Sequence, residues 1–161
     1  MWWRQWRRSE ARGTLKKGSN VMNELFREDM AKRPRLFHLN GPIPFAELDA
    51  WLSKRNLTVP DDLREVWCET GGGDVDQTET ILGPYGNREL ADDVDSVNEF
   101  HWRKGMPADW LIFHTGLGGL TVVKMSTGEY ANVQHDSFEV EETFNSFADW
   151  YEKSIRPAFP S

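Results

Sequence analysis

The chain has 161 residues, 39% of them hydrophobic and 12% aromatic with eight Trp, which is enough for one domain with its own core. Its single cysteine excludes an intrachain disulfide and favours a reducing compartment. No apolar run approaches the ~20 residues of a membrane span, so a soluble, cytoplasmic protein is expected. The net charge of −7 hides an asymmetry: residues 1–35 carry ten Lys/Arg against four Asp/Glu, and residues 36–161 carry nine against twenty-two, or −13. An acidic body repels phosphate backbones and attracts basic proteins, which argues against nucleic-acid binding.

Residues 1–35 read as a basic, disordered N-terminal extension before an α+β domain over 36–161. Within it, Trp2, Trp3 and Trp6 interleave with Arg4, Arg7 and Arg8. That pattern suits a membrane-surface or nucleic-acid arm, but a disordered extension, or upstream sequence ahead of a start at Met22, is the simpler reading. Pro34, Gly41 and Pro42 make residues 22–42 irregular approach chain. A helix from Pro44 should bury Phe45, Leu48, Trp51 and Leu52 and end at Asn56. The next spans Pro60 to Thr70: proline suits its first position, Asp61 and Asp62 favour its positive end, and Leu63, Val66, Trp67 and Thr70 share one face. Gly71 can then take the left-handed conformation that ends it.

Thr80-Ile81-Leu82 reads as a short strand, and Arg88 to Phe100 as a helix with Leu90, Val94 and Val97 on its inner face. From Trp110 the period changes to strands: Trp110–Thr115, Leu120–Met125, Glu129–Gln134 and Phe138–Glu142, joined by Gly-rich or polar turns as in an antiparallel meander. Ser146-x-x-Asp149 fits a capping box opening a last helix, with Phe147, Trp150, Tyr151 and Ile155 as its apolar stripe. The order implies an α+β fold: a single domain with an antiparallel sheet of about four to six strands and helices packed mainly on one face.

The segment Val59-Pro60-Asp61-Asp62-Leu63-Arg64-Glu65-Val66-Trp67-Cys68-Glu69-Thr70-Gly71-Gly72-Gly73, together with Trp110 to Phe113 and Lys124-Met125-Ser126-Thr127-Gly128-Glu129-Tyr130, resembles the SUKH superfamily over roughly residues 42 to 155. Leu63, where an aromatic is commoner, and Thr70, where the family often has Asn, depart from the pattern. The resemblance implies a cytoplasmic immunity protein that binds a cognate toxin domain, often a nuclease, and blocks it stoichiometrically. Relatives outside toxin systems imply a second class, stand-alone intracellular regulators or scaffolds.

No catalytic set stands out. His38, His101, His114 and His135 lack metal-site spacing. Cys68 lies late in a helix beside Glu69, where a thiolate is disfavoured. Gly71-Gly72-Gly73 follows a helix instead of preceding one, unlike a phosphate cradle. Neither a cofactor nor a metal is expected, and an enzyme ranks lowest. Partner binding is assigned to the acids Asp74, Asp76, Glu79, Asp92, Asp93, Asp95 and Glu99 with the aromatics Tyr85, Phe100 and Trp102. Acids and aromatics together supply the charged rim and desolvated centre of an interface, and the expected partner is a toxin with a basic surface.

Overall fold

The computed structural model describes residues 23–160; the readings of residues 1–21 lie outside the described residues. In chain order the elements are α1 (Glu24–Lys32), a 3₁₀ turn (Pro34–Leu36), β1 (Phe37–Leu39), α2 (Phe45–Arg55), α3 (Asp61–Thr70), β2 (Gly73–Val75) and β3 (Glu79–Ile81). A second 3₁₀ turn (Arg88–Leu90), α4 (Val94–Arg103), β4 (Trp110–Gly116), β5 (Gly119–Lys124), β6 (Tyr130–Val133), β7 (Val140–Phe144) and α5 (Phe147–Trp150) follow, and α5 runs into a π turn (Tyr151–Ile155).

The seven strands lie in sequence order in one antiparallel sheet. This is the expected α+β architecture with more strands than the sequence suggests. The two unforeseen ones, β1 and β2, are three residues each, too short for an alternating pattern to register. Between them stand α2 and α3, and α4 fills the crossing from β3 to β4. A bulge between Ile112 and His114 turns both Phe113 and His114 towards Trp150, at 4.9 Å between centroids in each case. Phe113 also meets Tyr130 edge-on at 5.4 Å, and Phe147 meets Phe26 at 5.3 Å. Edge-to-face pairs of this kind add to the burial of each ring.

Three readings need correction. First, the 1–35 extension and the irregular 22–42 approach do not describe α1 and β1. Phe26 is 1% exposed, and Arg27 pairs with Glu65 and Glu69. Asp29 accepts from the Tyr151 hydroxyl and the Arg156 guanidinium, both at 2.7 Å. The buried stripe of α1 is only Phe26 and Asp29, and its partners lie far along the chain, so periodicity could not reveal it. Second, the helix read over Arg88 to Phe100 breaks. Ala91 is left-handed at φ 56°, and Asp93 caps α4 by accepting from the Ser96 N–H at 2.8 Å, a role its short side chain favours over a helix interior. Third, Pro60 sits one residue ahead of the first helical position, with extended ψ at 155°.

Asp29 makes this packing sensitive to acid. Burial pushes its carboxyl up, but the bonds from Arg156 and Tyr151 outweigh it and hold the group below the usual range. A depressed folded-state pKa contributes stability that is present above the unfolded value, near ~4, and lost as pH falls through the folded value. Urea titrations from pH 5 to 2 are therefore expected to show a steeper loss for the natural chain than for Asp29→Asn; equal slopes would contradict this.

Candidate partner-binding surface

The chain leaving β3 forms a loop whose neck is closed by backbone bonds: Gly83 N–H donates to Asp92 O at 3.1 Å, and Val94 N–H donates to Gly83 O at 3.0 Å. Inside the loop, Asn87 accepts from the Asp92 and Leu90 N–H groups through its carbonyl and from Glu89 N–H through its side chain, at 2.9–3.1 Å. Such bonding ties the loop to itself and to the start of α4. Tyr85 and Leu90 project from it at 54% and 68% exposure, and Phe100 projects from the neighbouring α4 at 48%. Among the described residues these are three of five exposed large hydrophobic side chains, the others being Leu117 and Val140. Leu90, expected on the inner face of a helix, is thus a surface residue because the helix begins only after it.

Acids line the loop and its neighbours, while Lys104 Nζ stands 5.0 Å over the Phe100 ring. Burial pushes the Asp92 carboxyl up, and the nearby charges of Asp74 and Asp93 add to the shift. Asp74 accepts from Thr80 Oγ1 at 2.9 Å, and Asp76 sits in the β2–β3 turn at φ 52°. Glu99 is half-exposed, with Arg88 Nη2 at 3.8 Å. Burial and the charge of the nearby Glu47 carboxylate both raise the Tyr85 phenol. The sequence reading missed Glu47, since only the tertiary fold brings α2 beside this loop.

Four of the ten expected residues are occupied inside the fold. Glu79 Oε1 meets His114 Nε2 at 2.8 Å, while His114 Nδ1 meets Thr121 Oγ1 at 2.8 Å. Burial lowers the His114 pKa, whereas the same pairing, set against burial, leaves Glu79 below its usual range. Asp93 is the buried cap of α4. Asp95 binds Arg55 through both oxygens, at 2.8 and 2.9 Å, and that guanidinium lies 4.1 Å over the Trp51 ring. Trp102 donates its indole N–H to Trp110 O at 2.9 Å and packs against the core. The residues the fold leaves on the surface are Asp74, Asp76, Tyr85, Asp92, Glu99 and Phe100, to which it adds Leu90 and Glu47.

Cys68 is 1% exposed, and burial pushes its thiol up to about 12, so at neutral pH it is an inert apolar group. Gly71 closes α3 with φ 70° and its N–H on Trp67 O, and Gly73 pairs with Leu39 in the sheet; neither frames an anion. Among the described residues no group of three His, Cys, Asp or Glu side chains gathers as a metal site would require. Among the same residues no helix is long and apolar enough to cross a membrane.

The SMI1 / KNR4 family (SUKH-1) model matches residues 42–153, from the chain entering α2 to the turn after α5. The chain belongs to the SUKH-1 family. No curated protein matches it. In this SUKH-1 domain the expected α3 and glycine segment is architectural: the Trp67 indole donates to Leu82 O at 2.8 Å, and Thr70 Oγ1 donates to Val66 O and accepts from Gly72 N–H. Outside the matched stretch, α1 and the C-terminal turns bind each other through Asp29 and Arg156.

Proposed function

We propose that this SUKH-1 protein is a cytoplasmic immunity protein that neutralises a cognate toxin domain, such as a nuclease, by stoichiometric occlusion and without turnover. The observation that carries this reading is the exposure of Tyr85, Leu90 and Phe100 on a bonded loop and the helix after it, with Glu47 near Tyr85, Asp74 near Asp92, and Glu99 of the helix meeting Arg88 of the loop. Exposed aromatics of this kind act as anchors whose burial slows dissociation. The acids favour a partner with basic surface, the kind a nucleic-acid-gripping toxin presents, and speed its capture at low salt.

Expression beside the toxin encoded next to it should restore growth of the host. Tyr85→Ala and Phe100→Ala should each weaken the complex by ~2 kcal/mol, about 30-fold in Kd, with unchanged thermal unfolding. Association should slow at least about tenfold between low and high salt. Rescue of no neighbouring toxin would overturn the immunity reading in favour of a regulatory or scaffold role. Rescue unaffected by either substitution would overturn the placement of the surface.

A further inference from the structure

Between the link joining α2 to α3 and the flank of α4 lies a groove of about 230 Å³. Val94 and Leu111 form its fully buried floor, with partly buried Leu57 and Trp102 beside them. The polar residue on the floor, Asn98, has its amide committed. It donates to Val94 O and Ile112 O at 2.9 Å each, and its Oδ1 accepts from Ile112 N–H at 2.6 Å. An entering group therefore finds apolar atoms below it and no hydrogen-bonding capacity. At the rim, Asp95 is held by Arg55, but Glu99 is half-exposed and meets Arg88 only at 3.8 Å, beyond hydrogen-bond reach. Glu99 is the rim carboxylate with room for another cation.

We propose that this groove is the anchor pocket of the partner surface and that it receives an arginine side chain of a basic protein; the proposal rests on the reading of this face as partner-binding. The occupant must lay an apolar stem along Leu57 and Trp102 and present one positive tip to Glu99. A carboxylate would be repelled by Glu99, and an uncharged polar side chain would lose its hydration over the apolar floor without replacement. Of the two long cations, lysine carries a compact, strongly hydrated ammonium, whereas the guanidinium is weakly hydrated, planar and suited to an indole face. The domain as a whole draws such a partner: over residues 23–160 thirteen Lys/Arg stand against twenty-five Asp/Glu.

The test needs no toxin. N-acetyl-arginine N-methylamide is titrated into the full chain while methyl resonances are followed by NMR, with the citrulline analogue as an uncharged probe of the same shape. The arginine probe should shift the Leu57, Val94 and Leu111 methyls saturably, and the citrulline probe should bind at least about twofold more weakly. Glu99→Gln, at an exposed position that leaves the fold intact, should weaken the arginine probe by about two- to fivefold, the range of one exposed ion pair. Equal binding of both probes, or no response to Glu99→Gln, would overturn the proposal. So would shifts spread over the acidic surface and absent from the groove. Shifts that emerge only when Arg4, Arg7 and Arg8 are replaced by Ala would assign the groove to the chain's own arginines and likewise overturn it. Since this readout involves no toxin, failed rescue and an empty groove are separate results.

Discussion

Replacing Asp62 by Ala is expected to cost about 3–5 kcal/mol, the range for stripping one partner from a buried charged network. Asp62 is 6% exposed. Its carboxylate joins three elements: Oδ1 accepts from the Tyr130 hydroxyl of β6 at 2.5 Å and from Leu63 N–H at 2.9 Å, and Oδ2 accepts from Phe147 N–H at 2.7 Å. The last bond caps the first helical residue of α5 from a different helix, in addition to the local cap from Ser146 to Asp149 N–H at 3.0 Å. Burial and the Asp62 charge drive the Tyr130 phenol well above its usual pKa, so the hydroxyl serves as the donor of the bridge. Alanine would leave that hydroxyl and the Phe147 N–H buried without acceptors. Urea unfolding of Asp62→Ala, Tyr130→Phe and the double variant checks the bridge: the double loss should fall at least ~1 kcal/mol short of the summed single losses. Strict additivity would mean that the two groups do not interact. Asp136→Ala, in an exposed turn, should stay within ~0.5 kcal/mol.

The second large effect is expected at Gly71. Its φ of 70° lies in the left-handed region, and a Cβ there would run into the carbonyl oxygen of Gly41 and approach Asn40 Cβ to 3.3 Å. Neither neighbour can yield readily. The two chain segments are laced together by Gly41 N–H to Thr70 O at 2.8 Å, Asn40 N–H to Gly72 O at 2.9 Å, Ile43 N–H to Cys68 O at 2.9 Å and Asn40 Nδ2 to Gly71 O at 3.0 Å. Left-handed strain of ~1 kcal/mol and an overpacking cost of ~2–3 kcal/mol add to about 3–4 kcal/mol. For a domain of this size that lowers Tm by roughly 10 °C. Gly118→Ala is the control, because a Cβ there has nothing within 4 Å; its change should stay below ~1 kcal/mol. Calorimetry that finds the two substitutions equal would refute the close-approach argument.

Composition and local pattern go a long way with this chain. The burial of Leu48, Trp51 and Leu52 in α2, the left-handed Asn56 and Gly71, the hairpin around Leu117 and Gly118, and the Ser146 cap all follow from residue type and spacing. So do the α+β order and the SUKH resemblance, because their signals lie within a few residues of one another. What tertiary structure alone decided is of another kind. Glu79, Asp93 and Asp95 read as surface acids, since a carboxylate in sequence is an exposed charge until a fold supplies its partner. Here His114, the Ser96 amide and Arg55 are those partners. Leu90 reads as core because its spacing to Val94 is helical, and it became surface when Ala91 and Asp93 broke that helix. Helix α1 is invisible to periodicity: its stability comes from Phe26 among aromatic rings and from Asp29 on Arg156 at the far end of the chain. Local chemistry determines which elements form; which charges remain available to a partner depends on contacts between residues distant in sequence, and those exist only once the chain has closed on itself.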